Sequence, residues 1–269
     1  MLAIGLEVYM RRILIIPDEK NFYASLELAC EYLVGFEYND FFNPQVLDND
    51  EEMDRLINIY KKETLPSYCT LHGAFFDVIP FSLDPKIREI SHLRIEQSIE
   101  VAKKIGASAV VFHTNYNPYL NIPSYIETWI KENVVYWSGV LERHKEINIY
   151  LENMFDQSPD ILKKLSEELC GYENFGVCFD YGHAAISKTA PQIWAKELGK
   201  YVKHIHLNDN DLISDLHLPW GEGNINRQEF YDIYEKYMSG ASILLETSSV
   251  VGQRKSLECF VREGFIQQN

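Results

Sequence analysis

The chain has 269 residues, with 25 Lys+Arg against 40 Asp+Glu and a formal net charge of −15. Apolar residues make up 46% and charged residues 24%, a globular composition with enough length to bury a core without disulfides. The acidic balance counts against a general affinity for nucleic acid or anionic membranes, because basic side chains dominate phosphate binding.

Compartment follows from the cysteines and the apolar runs. Cys30, Cys69, Cys170, Cys178 and Cys259 are scattered and odd in number, with no C-x-x-C spacing, so free thiols are expected. The N-terminal apolar runs are broken by Glu7, Arg11 and Arg12. No apolar stretch nears the roughly 18 residues that span a bilayer. The expectation is a cytoplasmic protein with neither a signal peptide nor a membrane segment.

Along the chain, short β-type runs alternate with longer amphipathic segments. The predicted strands are Leu2–Val8, Val34–Tyr38, Ser67–His72, Ala109–His113, Ile147–Glu152, Gly176–Asp180, Val202–Leu207 and Ser242–Glu246. Each is rich in residues suited to burial on both faces. Between them, Asp50–Glu63 opens acidic and closes basic, in accord with the helix dipole. A second helix, Ile87–Ile105, stops at Gly106, and Ser158-Pro159-Asp160 opens another with Ser158 as cap and Pro159 in its first turn. Eight strands and about eight helices with no dividing linker fit a single (β/α)8 TIM barrel over residues 1–269, near the typical ~250 residues. An open doubly wound sheet would show a G-x-G-x-x-G turn after an early strand, and none is present.

Polar residues recur at one point of this repeat. His72, His113, Glu152, Asp180, His206 and Glu246 each stand at the C-terminal end of a predicted strand. In a barrel those ends form one rim, the place where active sites lie. A lone His or Glu at a strand end is an ordinary solvated or hydrogen-bonded residue. Six in succession after apolar strands point instead to a shared divalent cation, because each is costly there unless paired or metal-bound. His204 is assigned to the opposite face and left out. His183, in Asp180-Tyr181-Gly182-His183, and Asp215 and His217, in the loop after the seventh strand, extend the cluster. The turn Leu218-Pro219-Trp220-Gly221-Glu222-Gly223 is read as closing over the mouth, with Trp220 walling a substrate pocket.

These residues resemble the xylose isomerase-like TIM barrels, which include sugar and sugar-phosphate isomerases and epimerases and the endonuclease IV group. The resemblance covers nearly the whole chain. It is most specific at Leu151-Glu152-Asn153, at Phe179-Asp180-Tyr181-Gly182-His183, and from His206-Leu207-Asn208-Asp209-Asn210 through Asp215-Leu216-His217-Leu218-Pro219 to Gly221-Glu222-Gly223. Leu245-Glu246-Thr247 completes it. The sugar branches hold one divalent metal (manganese, magnesium or cobalt) on a Glu-Asp-His-Glu tetrad. That tetrad falls on Glu152, Asp180, His206 and Glu246. The endonuclease IV branch holds three zinc ions, and its further ligands fall on His72, His113, His183, Asp215 and His217.

The resemblance therefore implies two activities. In the first, a metal-dependent isomerase or epimerase acts on a small carbohydrate through an ene-diolate, with Glu152 and Glu246 as catalytic bases on opposite sides of the mouth. His72, His113, His183, His217 and Trp220 then contact substrate, and Phe75 and Phe76 shape the pocket. In the second, zinc ions hydrolyse phosphodiesters at abasic sites. The loops Asn39–Gln45, Gly73–Pro85 and Thr114–Tyr119 contain no Lys or Arg, which counts against a DNA substrate. No arginine lies between Asp209 and Trp220, which counts against a ketose 3-epimerase subtype. Sugar chemistry is favoured, with a homo-oligomer as the family's usual assembly.

Overall fold

The computed structural model describes residues 11–61, 68–75 and 77–267. Eight parallel strands close in chain order into one barrel, β1 pairing with β8. They are β1 (Ile13–Ile15), β2 (Gly35–Tyr38), β3 (Cys69–His72), β4 (Ala109–His113), β5 (Asn148–Glu152), β6 (Phe175–Asp180), β7 (Val202–Leu207) and β8 (Ser242–Leu245). The helices are α1 (Phe22–Tyr32), α2 (Pro44–Leu47), α3 (Asp50–Lys61), α4 (Pro85–Ile105), α5 (Pro123–Arg143), α6 (Asp160–Leu169), α7 (Tyr181–Ile186), α8 (Pro191–Leu198), α9 (Arg227–Ile233) and α10 (Val250–Arg262). The fold is a (β/α)8 TIM barrel. The strand expected at Leu2–Val8 lies outside the described residues, and the first described strand falls on Ile13–Ile15 instead. No helix among the described residues is long and apolar enough to cross a membrane. All five cysteines are free.

Local chemistry sets the element ends. The Asp84 carboxylate accepts from the Lys86 N–H, and Pro85 occupies the first turn of α4, so this helix starts two residues before Ile87. Gly106 ends it in the left-handed region at φ +85°, where a side chain is strained. At α6 the expected cap is corrected. Ser158 Oγ donates to the Asp160 carboxylate at 2.9 Å, and the capping position is Pro159, whose ring carries no hydrogen-bond acceptor.

Strand parity decides what faces the lumen. Successive residues point to opposite faces, so one set packs under the helices and the other fills the barrel. Ile13, Ile15, Phe36, Tyr38, Leu71, Val110, Phe112, Ile149, Leu151, Val177, Phe179, Ile205, Leu207, Ile243 and Leu245 join the main hydrophobic core with the helices. Ala109, Val111, Tyr150 and Cys178 form a separate cluster. The same alternation puts Glu37, Thr70, His72, His113, Glu152, Asp180, His204, His206 and Ser242 in the lumen. His204 and His206 are two residues apart and share a face, so the assignment of His204 to the opposite face is corrected.

Candidate metal centre

Parallel pairing brings the rim residues side by side. His113 is in register with Glu152 across β4 and β5, and Asp180 with His206 across β6 and β7. Glu246 follows β8 directly, its N–H donating to the Leu207 carbonyl at 2.9 Å. Residues far apart in sequence thereby meet at the C-terminal mouth.

Glu152 is the hub. Its Oε2 lies 3.3 Å from His206 Nδ1, 3.3 Å from His113 Nε2 and 3.7 Å from His72 Nε2. Its Oε1 lies 3.7 Å from His183 Nδ1. His206 Nδ1 also stands 3.7 Å from Glu246 Oε2. One atom each from Asp180, His206 and Glu246 lie within 4.8 Å of one another. Two further groups adjoin this one: His72, His113 and Glu152, and His183, Asp215 and His217. Asp215 Oδ2 bridges the second, 3.2 Å from the Nε2 of both histidines. His72 Nδ1 is occupied by the Gly73 carbonyl at 2.9 Å, which leaves its Nε2 for the site.

The electrostatics are those of crowded carboxylates balanced by imidazoles. Burial opposes charge on Glu152, yet His206 and His113 more than offset it and hold the carboxyl well below the usual range. Burial, with Glu246 and Glu152 adding to it against His183, pushes Asp180 up to about 7. Burial pulls the His206 imidazole down, but Cys178, Glu152, Glu37 and Glu246 carry it well above its ordinary value. His183 is raised in the same way against burial by Asp180, Asp215 and Glu152. His217, opposed by burial, is carried up to about 10 by Asp215 and Glu246.

A divalent cation fits the donor set. Glu152 Oε2, Asp180 Oδ2, His206 Nδ1 and Glu246 Oε2 are buried atoms with no hydrogen-bond partner among the described residues. They are one atom from each member of the tetrad, and four such orphans at one point are costly unless they share an ion. Three oxygens and one imidazole nitrogen suit a hard to borderline ion.

The other residues singled out from sequence fall in different surroundings. Phe75 lies at the site, its ring 5.1 Å from His72 and 5.0 Å from His113, while Phe76 is outside the described residues. Trp220 is 2% exposed. Its indole N–H donates to the Tyr231 hydroxyl at 3.1 Å and its ring meets Phe230 at 5.2 Å, so it packs against α9 instead of facing the mouth. Sequence reasoning missed Glu37, Thr70 and Ser242 in the lumen, and Phe42, whose ring meets Phe75 at 4.9 Å. For Glu37 the signal was its parity: an acidic residue inside the apolar run Gly35–Tyr38, two places from Gly35 and facing inward.

A closed parallel barrel with carboxylates and imidazoles converging on its C-terminal rim defines the class of TIM barrels with a metal-type site at the mouth. More particularly, residues 28–263 match the xylose isomerase-like TIM barrel family, and the chain belongs to that family. An uncharacterised protein of Methanocaldococcus jannaschii, MJ1311, is 30% identical over 176 residues, 62% of this chain. That match spans 58% of the relative, under two-thirds of its length. In fold, the chain is similar to the TTHB071 protein of Thermus thermophilus, from a crystal soaked with ZnCl2. The TM-score is 0.75 and the identity 23%, over 95% of this chain and 99% of that one. It is also similar to a D-tagatose 3-epimerase-like protein, at TM-score 0.74 and 22% identity over 93% of this chain and 96% of that one. The neighbours in fold include further sugar epimerases.

Proposed function

We propose that the chain, as one barrel domain, is a divalent-metal-dependent isomerase or epimerase of a small sugar or sugar phosphate. The observation that carries this reading is the convergence of four orphaned ligand atoms from the ends of β5, β6, β7 and β8, with a glutamate on each outer flank. A manganese, magnesium or cobalt ion held by Glu152, Asp180, His206 and Glu246 would polarise a substrate carbonyl and stabilise the ene-diolate.

The protein's own groups then divide the work. Glu152 and Glu246 come from strands three apart, so a substrate between them meets a carboxylate on either face. One removes a proton from the carbon beside the carbonyl and the other delivers a proton to the opposite face. Glu246 is the more exposed of the two, at 9% against 1%, and stands on the solvent side. His217 Nδ1 lies 3.6 Å from Glu246 Oε2, and the Asp215 bridge holds His217 and His183 together to bind substrate hydroxyls. His72, His113 and Phe75 close the other side.

The test is solvent exchange. Manganese-loaded protein is incubated in D2O with a panel of ketopentoses, ketohexoses and their phosphates, and deuterium at the substrate carbon is read by NMR. Exchange with at least one sugar is expected, and Glu246→Gln slows it by about 10²-fold or more. Exchange retained in that variant contradicts the two-glutamate mechanism.

A second reading has one specific observation in its favour. The groups His72–His113–Glu152 and His183–Asp215–His217 give room for more than one ion, as a zinc phosphodiesterase resembling endonuclease IV requires. The rim loops without Lys or Arg favour the sugar reading. Cleavage of an abasic-site duplex, with no exchange on any sugar, would reverse the order.

A further inference from the structure

Beneath the tetrad, the lumen holds a second polar layer that the proton-transfer chemistry does not use. Glu37 on β2, Thr70 on β3, His204 and His206 on β7, and Ser242 on β8 are all 0% exposed. Glu37 Oε2 accepts from Thr70 Oγ at 2.7 Å and stands 3.1 Å from His204 Nε2. The other face of His204 is held as well, its Nδ1 lying 2.8 Å from Ser242 Oγ. The Tyr68 hydroxyl is 3.2 Å from that same oxygen. The second carboxylate oxygen, Glu37 Oε1, stands 3.1 Å from His206 Nε2 as a close ion-pair contact, and neither atom has a hydrogen-bond partner among the described residues.

A carboxylate in a closed lumen is expensive, and apolar residues of similar volume often serve stability as well or better. Elsewhere the lumen is filled in that ordinary way, by Ala109, Val111 and Tyr150. What Glu37 adds is direction. A carboxylate can only accept, so the His206 nitrogen facing it carries the hydrogen. In the neutral ring that a cation requires, the lone pair is then left on Nδ1, the nitrogen that faces Glu152 and Glu246. Thr70 and His204 brace the carboxylate from the other oxygen, which fixes the angle from which it addresses the ring.

We propose that Glu37, braced by Thr70 and His204, is a positioning residue that sets the tautomer and ring orientation of His206 for a divalent cation. The proposal rests on the metal reading of the tetrad. Outer partners of a ligating histidine govern affinity by about 10–100-fold, and the lumen supplies one from a strand that contributes no ligand.

The test is a zinc affinity, read by competition with a chromophoric chelator, on the full chain and on Glu37→Gln. A dissociation constant weakened by about 10–100-fold, with the metal-free melting midpoint kept within a few degrees, is expected. Tight binding by both proteins overturns the proposal and leaves the metal reading standing. Absence of zinc binding by the unaltered chain removes both. If Glu37→Gln does not fold, Thr70→Val takes its place, with a several-fold loss expected and an unchanged affinity overturning the proposal. Nitrogen NMR of zinc-loaded unaltered protein needs no variant: His206 should show a proton on Nε2 and the metal on Nδ1, and the reverse arrangement overturns the proposal.

Discussion

Asn153 and Asp180 exchange two hydrogen bonds across the ends of neighbouring strands. The Asn153 side-chain nitrogen donates to the Asp180 carbonyl at 2.9 Å, and its oxygen accepts from the Asp180 N–H at 3.0 Å. The amide thus does the work of a strand residue past the end of β5 and fixes the backbone that carries the Asp180 carboxylate. The Asn153 carbonyl in turn engages His183 Nδ1 at 2.9 Å. One residue beside a candidate ligand therefore locks two others.

Replacing Asn153 by Ala leaves the buried N–H and carbonyl of Asp180 without these partners. The expected loss is about 3 kcal/mol of stability, together with weaker metal binding. Urea unfolding of the metal-free protein measures the first and chelator competition the second. A neutral substitution in both would show that the clamp has no role.

Metal binding should be pH-dependent. In the metal-free protein Asp180 is pushed up to about 7, chiefly by burial, and His206 is carried well above its ordinary value despite burial. Both must be free of protons to act as ligands, so protons compete with the ion. Affinity therefore rises as pH climbs from about 6 to about 8 and falls below that range, with protons released on binding. Isothermal titration in two buffers of different ionisation enthalpy reads the release directly. Affinity flat across this range, with no proton release, contradicts the arrangement.

Trp220 should behave as a packing residue. Trp220→Ala is expected to cost about 3–5 kcal/mol of stability, because the buried indole packs on Phe230 and donates to the Tyr231 hydroxyl. Once an active substrate is in hand, KM in this variant should stay within about twofold at a temperature where it is folded. A raised KM without a loss of stability would restore its role at the substrate pocket.

The barrel was legible in the sequence because the strands are buried on both faces and read as short apolar runs, six of them closing on a His, Asp or Glu. Their positions agree to within one or two residues from β2 onward, where Val34–Tyr38 corresponds to Gly35–Tyr38 and Ser242–Glu246 to Ser242–Leu245. At the N-terminal end two apolar runs, Leu2–Val8 and Ile13–Ile15, stand close together and hydropathy alone does not choose between them; Ile13–Ile15 is the run that pairs with β2 and β8. Glu37 does not stand at a strand end, and its place in the lumen follows from strand parity instead. The same parity places His204 there. Trp220 lay in a loop whose path depends on tertiary contacts: its N–H donates to Ser256 on α10, a partner 36 residues away that no local pattern reveals.

The number of metal ions that the mouth binds separates sugar chemistry from phosphodiester hydrolysis. Elemental analysis of protein purified with added manganese and zinc, paired with the same measurement on Asp180→Asn and Glu246→Gln, tests it most directly. One divalent ion per chain, lost in both variants and retained in His183→Asn, is the expected result. Three zinc ions per chain, with His183, Asp215 and His217 in the coordination sphere, or no bound ion at all, would contradict it.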